Sequence, residues 1–358
     1  MKWSTRKVIL SILPGVFLYM SGIAGPSDTL TNEPEKPVYF IRFKDQPHVT
    51  FEFARRRQQI NLVNPANESL FVRYEPNTRT NFIASFDYRW LSLSLGLFSL
   101  PVGQSRFQGE TEQFNLRFSF NGRRIWNTNF IQFYQGYSQT NPQISDSLWV
   151  SGLPLPHRPD ISSFTLFSNV LYCFRPDKFS YRAALWQLDR QEKSAGSFVA
   201  GASYRLNLID SDTTQTMIPI GLYDEYLPIN RAVSVRQSTF TIHAGYIHTF
   251  VSPYKPWFLT LYLLPGIAFE SGFYRPQDLL IRTFRQSTAA ATEFRLILGY
   301  NADRWFSGIS FHSLSFAGTR DADLWVDNNF SWFRIFGGFR LKPVDRTKGP
   351  KLLRAIGL

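Results

Sequence analysis

Apolar and polar residues alternate one for one over long runs of this chain, and that periodicity limits what it can fold into. In Ser197 to Leu208, Phe198, Ala200, Ala202, Tyr204, Leu206 and Leu208 alternate with Ser197, Val199, Gly201, Ser203, Arg205 and Asn207. Gln113 to Asn121 sets Phe114, Leu116, Phe118 and Phe120 against Asn115, Arg117, Ser119 and Asn121. Glu293 to Tyr300 does the same with Phe294, Leu296, Leu298 and Tyr300 against Glu293, Arg295, Ile297 and Gly299. Successive side chains of an extended chain point to opposite faces, so a period of two marks a strand with one apolar and one polar face. After Ala24 no run of 18 apolar residues occurs, and helical spacing is not sustained, so a helical membrane protein is excluded.

Such strands fit a soluble β-sandwich or an outer-membrane barrel. Three features favour the barrel. The alternating segments exceed the roughly 5 to 6 residues of soluble strands and approach the length that crosses a bilayer at a tilt. Aromatic residues make up 16% of the chain (34 Phe, 16 Tyr, 9 Trp). They crowd segment ends, as at Tyr88 and Trp90, Tyr134 and Tyr137, and Trp257 and Phe258, where interfacial girdles would lie. The polar faces also carry arginines, which a dry core could house only at several kcal/mol each. The expected fold is all-β, a transmembrane antiparallel up-and-down β-barrel of about 14 strands, within a range of about 12 to 16.

One stretch tests the pattern. In Asn81 to Pro101 the large apolar residues fall on even positions up to Trp90 and on odd positions from Leu91. A slip of one residue would send half of a single strand's apolar face inward. A very tight hairpin at Arg89 to Leu91, with both arms facing lipid, explains the switch; a β-bulge in one bent strand is the alternative. Further tight connections are expected at Asn121 to Arg124, Arg175 to Lys178, Asp210 to Thr213, Val251 to Pro256 and Asn301 to Arg304. Mostly longer loops lie between them, as short periplasmic turns alternate with external loops in such barrels. Counting from Ser69 to Tyr74 through Phe330 to Leu341 places both barrel ends on the periplasmic side. Thr214 to Tyr223, with Pro219 and Gly221, is the least convincing strand, and Val49 to Arg56 is an extra candidate.

The N-terminus reads as an export signal. Lys2, Arg6 and Lys7 precede the apolar Val8 to Met20, and Gly22-Ile23-Ala24 offers a cleavage site. The expected organisation is a signal peptide (1–24), a periplasmic N-terminal segment with room for one extra strand (25–68), the barrel (69–341) and a basic periplasmic tail (342–358). Formal charge is +12; removing the three cations of residues 1–24 leaves 12 − 3 = +9. No basic block beyond Arg55 to Arg57 stands out, so nucleic acid is not an expected partner. The single cysteine, Cys173, forms no internal disulfide, and no Cys/His metal spacing occurs; no metal or cofactor is expected. Membrane lipid and lipopolysaccharide are the expected surroundings, with small anionic solutes as candidate ligands and the oligomeric state undetermined.

The run FRPDKFSYRAALWQLDRQEKSAGSFVAGASY (Phe174 to Tyr204) resembles the signature of a Bacteroidota family catalogued as domain of unknown function 4421. RYEPN (Arg73 to Asn77) leading into SFDYRWLSLSLG, and GETEQFNLRFSFNGRR (Gly109 to Arg124), are similar to the same family. The resemblance covers about Leu70 to Leu341. It implies a barrel-type envelope protein and assigns no activity.

If Phe82, Tyr181, Leu206, Phe294 and Leu341 face lipid, then Arg89, Arg117, Arg182, Arg205, Arg295, Arg334 and Arg340 point inward, against only Asp87 and Glu293. Inward arginines suit an anion-favouring pore or a phosphate or carboxylate pocket. The favoured reading of these arginines is a plugged lumen in which loop carboxylates such as Asp321, Asp323 and Asp327 neutralise them, since ion-pair networks are common inside barrels. Solute passage or binding through this Arg-lined lumen is the leading functional expectation. A closed structural or interaction barrel presenting its external loops is the alternative. An outer-membrane lipid hydrolase would need a Ser and a His on one face. Ser310 and His312 satisfy that, although in the order Ser-x-His, and an enzyme is not expected; His243 and His248 fall on opposite faces.

Overall fold

The computed structural model describes residues 38–344 apart from 65, 68, 79, 101, 103, 213, 228–229, 255, 278–282, 319–324 and 328–329. The export segment 1–24, most of the tail 342–358, and Asp321 and Asp323 lie outside the described residues, as does the side chain of Asp327.

The strands are β1 (Phe40–Arg42), β2 (His48–Gln58), β3 (Ile60–Val63), β4 (Phe71–Glu75), β5 (Thr80–Tyr88), β6 (Leu91–Leu100), β7 (Glu112–Asn121), β8 (Ile125–Gln139) and β9 (His157–Cys173). A short helix, α1 (Tyr181–Trp186), and β10 (Asp189–Gln191) precede β11 (Ala195–Asp210), β12 (Ala232–Val251), β13 (Trp257–Pro276), β14 (Thr283–Asn301), β15 (Trp305–Gly318), β16 (Trp325–Asp327) and β17 (Phe330–Arg340). The closed wall has 12 strands: β2, β5 to β9, β11 to β15 and β17. Each wall strand pairs antiparallel with the next along the chain, and β17 closes the ring on β2 through Phe330↔Gln58 to Arg340↔His48.

This is the expected transmembrane up-and-down barrel, at the lower end of the expected strand range. Four local assignments differ. His48–Gln58, the extra strand allowed for in 25–68, is a wall strand, whereas Phe71–Glu75 lies outside the wall. Thr214 to Tyr223 forms turns with a 3-10 turn at Ile220–Leu222, because Pro219 and Gly221 suit a turn better than a ladder. The stretch expected as a strand after Lys178 is α1.

The hairpin at the apolar switch is as expected. Tyr88 pairs with Leu91, leaving Arg89 and Trp90 as a two-residue turn with Arg89 at φ 55°. A bulge also exists in this pair, farther along at Phe82/Ile83, so it does not cause the switch.

Inside and outside are inverted relative to a soluble core. Phe198 is 63% exposed while its neighbour Ser197 is fully buried, and the same contrast separates Phe86 from Asp87 and Leu93 from Ser94. Water would not tolerate an apolar belt running round the wall; hydrocarbon does. At the short-turn rim Trp305 stacks on Tyr300 at 4.6 Å, and Tyr300 meets Trp257 edge-on at 5.3 Å, the arrangement of an interfacial girdle. Tyr134, Tyr137 and Phe258 do not belong to such a girdle, being buried on the inner side. Leu263, 52% exposed on β13 and opposite Phe294, stands in the belt. Leu263→Arg is expected to cost about 2–4 kcal/mol and Leu263→Phe little, read by urea unfolding in lipid vesicles.

At the end away from the short turns, a cap covers the wall. The β3–β4 hairpin joins β8 through Tyr74↔Gln139 and Glu75↔Ser138, and β16 pairs with β3. The β11–β12 connection folds back onto them. Ile60, Leu62, Val72, Met217, Ile218, Leu222 and Tyr226 are buried together there with Tyr134, Tyr137 and Ile161 of the wall. The Tyr226 hydroxyl donates to Leu62 O at 3.0 Å, and the Tyr74 hydroxyl donates to Met217 O at 2.9 Å, so both buried phenols are satisfied.

Candidate functional site

The interior of the short-turn half holds the chemistry, and its centre is α1. Ser180 starts the helix: its hydroxyl accepts from Ala183 N at 3.2 Å and donates to Asp189 at 2.7 Å. Gln187 ends it in the left-handed region at φ 55°, its N–H donating to Arg182 O. Tyr181, Ala184, Leu185 and Leu188 fall at i, i+3, i+4 and i+7 and are all buried. Tyr181, Ala184 and Leu185 pack against inward residues such as Leu171, Val199, Ile247, Phe258, Ile297 and Phe336, and the Tyr181 ring stacks on Trp126 at 3.6 Å. Tyr181 therefore faces the interior and not lipid. Helical spacing is present here, but only two turns of it, too short to register against the strand period.

Around this plug lie buried ionic groups. Glu52, 1% exposed, takes Arg117 at 2.9 Å and Arg334 at 3.0 Å on its two carboxylate oxygens. The Trp186 ring sits against both guanidinium groups, at 4.6 Å from Arg117 and 5.1 Å from Arg334. Arg334 also donates to Leu185 O at 3.0 Å and Ser310 Oγ at 3.2 Å, and Arg117 to Ser94 Oγ at 3.0 Å. A cavity in this layer, bounded by Glu52, Asp87, Trp186 and Arg334 among others, has about 10 Å³, no more than one water needs. A second group centres on Glu293, which accepts from Arg295 at 2.6 Å and the Tyr262 hydroxyl at 2.8 Å, with His312 Nε2 at 2.9 Å. In a third, Arg340 donates to Gln187 O and Asn301 Oδ1, each at 2.6 Å.

Of the arginines expected inside, Arg117, Arg205, Arg295, Arg334 and Arg340 are on the inner face, together with Asp87 and Glu293. Arg205 lies over the Phe316 ring at 4.4 Å. Arg89 is instead in the β5–β6 turn, 3.4 Å from Asp45, and Arg182 is on the plug, 3.3 Å from Asp189. Glu52, Arg56 and Glu270 are additional buried inward charges. Glu52 is missed from sequence because its strand falls in the segment expected to precede the wall. Among the described residues, the carboxylates that hold Arg117, Arg334 and Arg295 are the wall residues Glu52 and Glu293. Ser310 and His312 share the inner face but bond to Arg334 and Glu293 respectively, and both are buried away from the lipid-facing surface. His243 is inward and buried, His248 outward. Cys173 is buried, its thiol 3.3 Å from Ser197 Oγ.

Residues 27–341 match the family described as Domain of unknown function (DUF4421), a longer span than the sequence resemblance covered. No curated protein matches the sequence. Among solved structures, the translocator domain of the autotransporter NalP from Neisseria meningitidis is similar with a TM-score of 0.35 and 6% identity, over 83% of this chain and 88% of that one. The outer membrane protease OmpT from Escherichia coli is similar with a TM-score of 0.33 and 7% identity, over 85% and 98%. The toluene transporter TodX of P. putida is similar with a TM-score of 0.27 and 8% identity, over 83% and 90%. Likenesses this remote bear on neither residue roles nor activity.

Proposed function

Because the chain belongs to the DUF4421 family, whose description assigns no activity, we propose its role from its own geometry: a non-conducting outer-membrane barrel that works at its two ends. The apolar outer belt, and the return of both wall ends to the short-turn side, support placement in the outer membrane with those turns toward the periplasm. Export through residues 1–24 would deliver it there. The observation that carries the closed reading is the packing of the Trp186 ring against the guanidinium groups of Arg117 and Arg334, which Glu52 holds, beside a cavity with room for about one water. Twelve strands enclose more space than the eight that side chains alone fill, so a plug is needed to close the lumen. Closure favours binding or interaction over passage through an Arg-lined lumen. No catalytic role is proposed for Ser310 and His312, which are engaged with separate partners.

The test is single-channel recording with the purified protein in planar bilayers. The expected result is a baseline without conductance steps. Anion-selective steps in the wild type, falling on Arg117→Glu, would replace this reading with a solute pore.

A further inference from the structure

A cavity of about 440 Å³ opens at the short-turn end, between the rim of the wall and the plug. Arg42 of β1, Lys44, Arg89 of the β5–β6 turn, Arg123 of the β7–β8 turn and Arg182 of α1 line it, with Asp189 as the one carboxylate among its described lining residues. Three of these cations have acidic partners: Arg182 has Asp189, Arg89 has Asp45 and Arg123 has Asp177. Asp45 and Asp177 are not among the residues that line the cavity. Arg42 and Lys44 make no ion pair with a described residue. Partial desolvation, opposed by Asp189 and reinforced by the like charges of Arg123 and Arg182, holds the Arg42 guanidinium below its ordinary range. The cavity therefore has more positive charge than its own carboxylate offsets.

We propose that this cavity is a binding site for a ligand bearing a phosphate group. Converging cations in a half-enclosed volume focus an anion, and guanidinium forks match the oxygens of a tetrahedral oxyanion. A doubly charged phosphate monoester answers this excess better than a single carboxylate. The volume lies in the range of small-ligand sites, about 300–1,000 Å³, and so exceeds what a bare ion fills. Trp90 and Trp126 also line it, the latter backed by the stacked Tyr181, and give the ligand's non-ionic part an aromatic surface. The group could belong to a soluble phosphorylated solute or to a lipid headgroup. The site stands whether or not the lumen conducts.

The test is calorimetric titration of the folded full-length protein in zwitterionic detergent at low salt, with inorganic phosphate and then glucose 6-phosphate. One site per chain is expected, tighter for the sugar phosphate, with affinity falling as sodium chloride rises. The variant Arg42→Gln/Lys44→Gln, whose replaced residues lie outside the wall, is expected to bind at least tenfold more weakly while keeping its folded mobility on gels. Arg304→Gln, in the β14–β15 turn and not lining the cavity, should bind as the wild type does. Absence of binding to the wild type, or equal binding by the double variant, overturns the proposal. Repeating the titration in nanodiscs with and without phosphatidate identifies the source: competition by phosphatidate assigns a lipid headgroup, and undiminished glucose 6-phosphate binding a soluble ligand.

Discussion

Glu52→Gln is expected to destabilise the barrel by about 3–5 kcal/mol, the range for breaking a buried ion pair from one side. The glutamine keeps shape and removes charge, leaving Arg117 and Arg334, both beside the Trp186 ring, without the anion they share. Both guanidinium groups retain neutral acceptors, Ser94 Oγ for one and Ser310 Oγ and Leu185 O for the other, which soften the loss without replacing the charge. The measurement is the urea midpoint of the protein in vesicles. A triple variant sharpens it: Glu52→Leu with Arg117→Met and Arg334→Met should recover most of the loss, since an apolar replacement of a whole buried ionic group is often tolerated. A fall below about 1 kcal/mol in the single variant would show that Glu52 is not the anion on which this layer depends.

Replacing residues 180–188 by a Gly/Ser linker of equal length is expected to turn a silent protein into a conducting one. The change removes the buried Tyr181, Leu185 and Leu188 and the Trp186 ring, and opens the inner face of a wall too wide for its own side chains to fill. Arg117, Arg295, Arg334 and Arg340 would then line a water-filled passage, so the steps should favour anions. Planar bilayer recording beside the wild type reads the difference directly. Continued silence would mean that the cap at the other end seals the barrel by itself.

How far the sequence reveals this molecule follows from particular residues. The wall is legible because lipid outside and polar groups inside impose a strict period of two, and the Arg89-Trp90 turn can be placed from the change of phase alone. The plug is not, because Tyr181, Ala183 and Leu185 satisfy the strand period while Tyr181, Ala184, Leu185 and Leu188 satisfy the helical one, and two turns cannot separate the two readings. The inner arginines emerge from phase; Glu52 and Glu293 pair with Arg117, Arg334 and Arg295, while Asp321, Asp323 and the side chain of Asp327 lie outside the described residues. Glu52 alternates inward between Phe51 and Phe53 like any wall residue, and only its place in the N-terminal segment hides it. Tyr134 and Tyr137 look interfacial by composition, whereas a cap assembled from distant segments encloses them, which no local pattern announces.

The ring closes where β17 meets β2, and Glu52 and Arg334 sit on those two strands, 282 positions apart in the chain. Arg334 and Arg340 of the same last strand also hold the carbonyls of Leu185 and Gln187. The same strand therefore carries both the seam and part of the stopper's anchorage. A chain halted before residue 330 would leave the edges of β2 and β15 open and the carbonyls of Leu185 and Gln187 without their arginine donors at once.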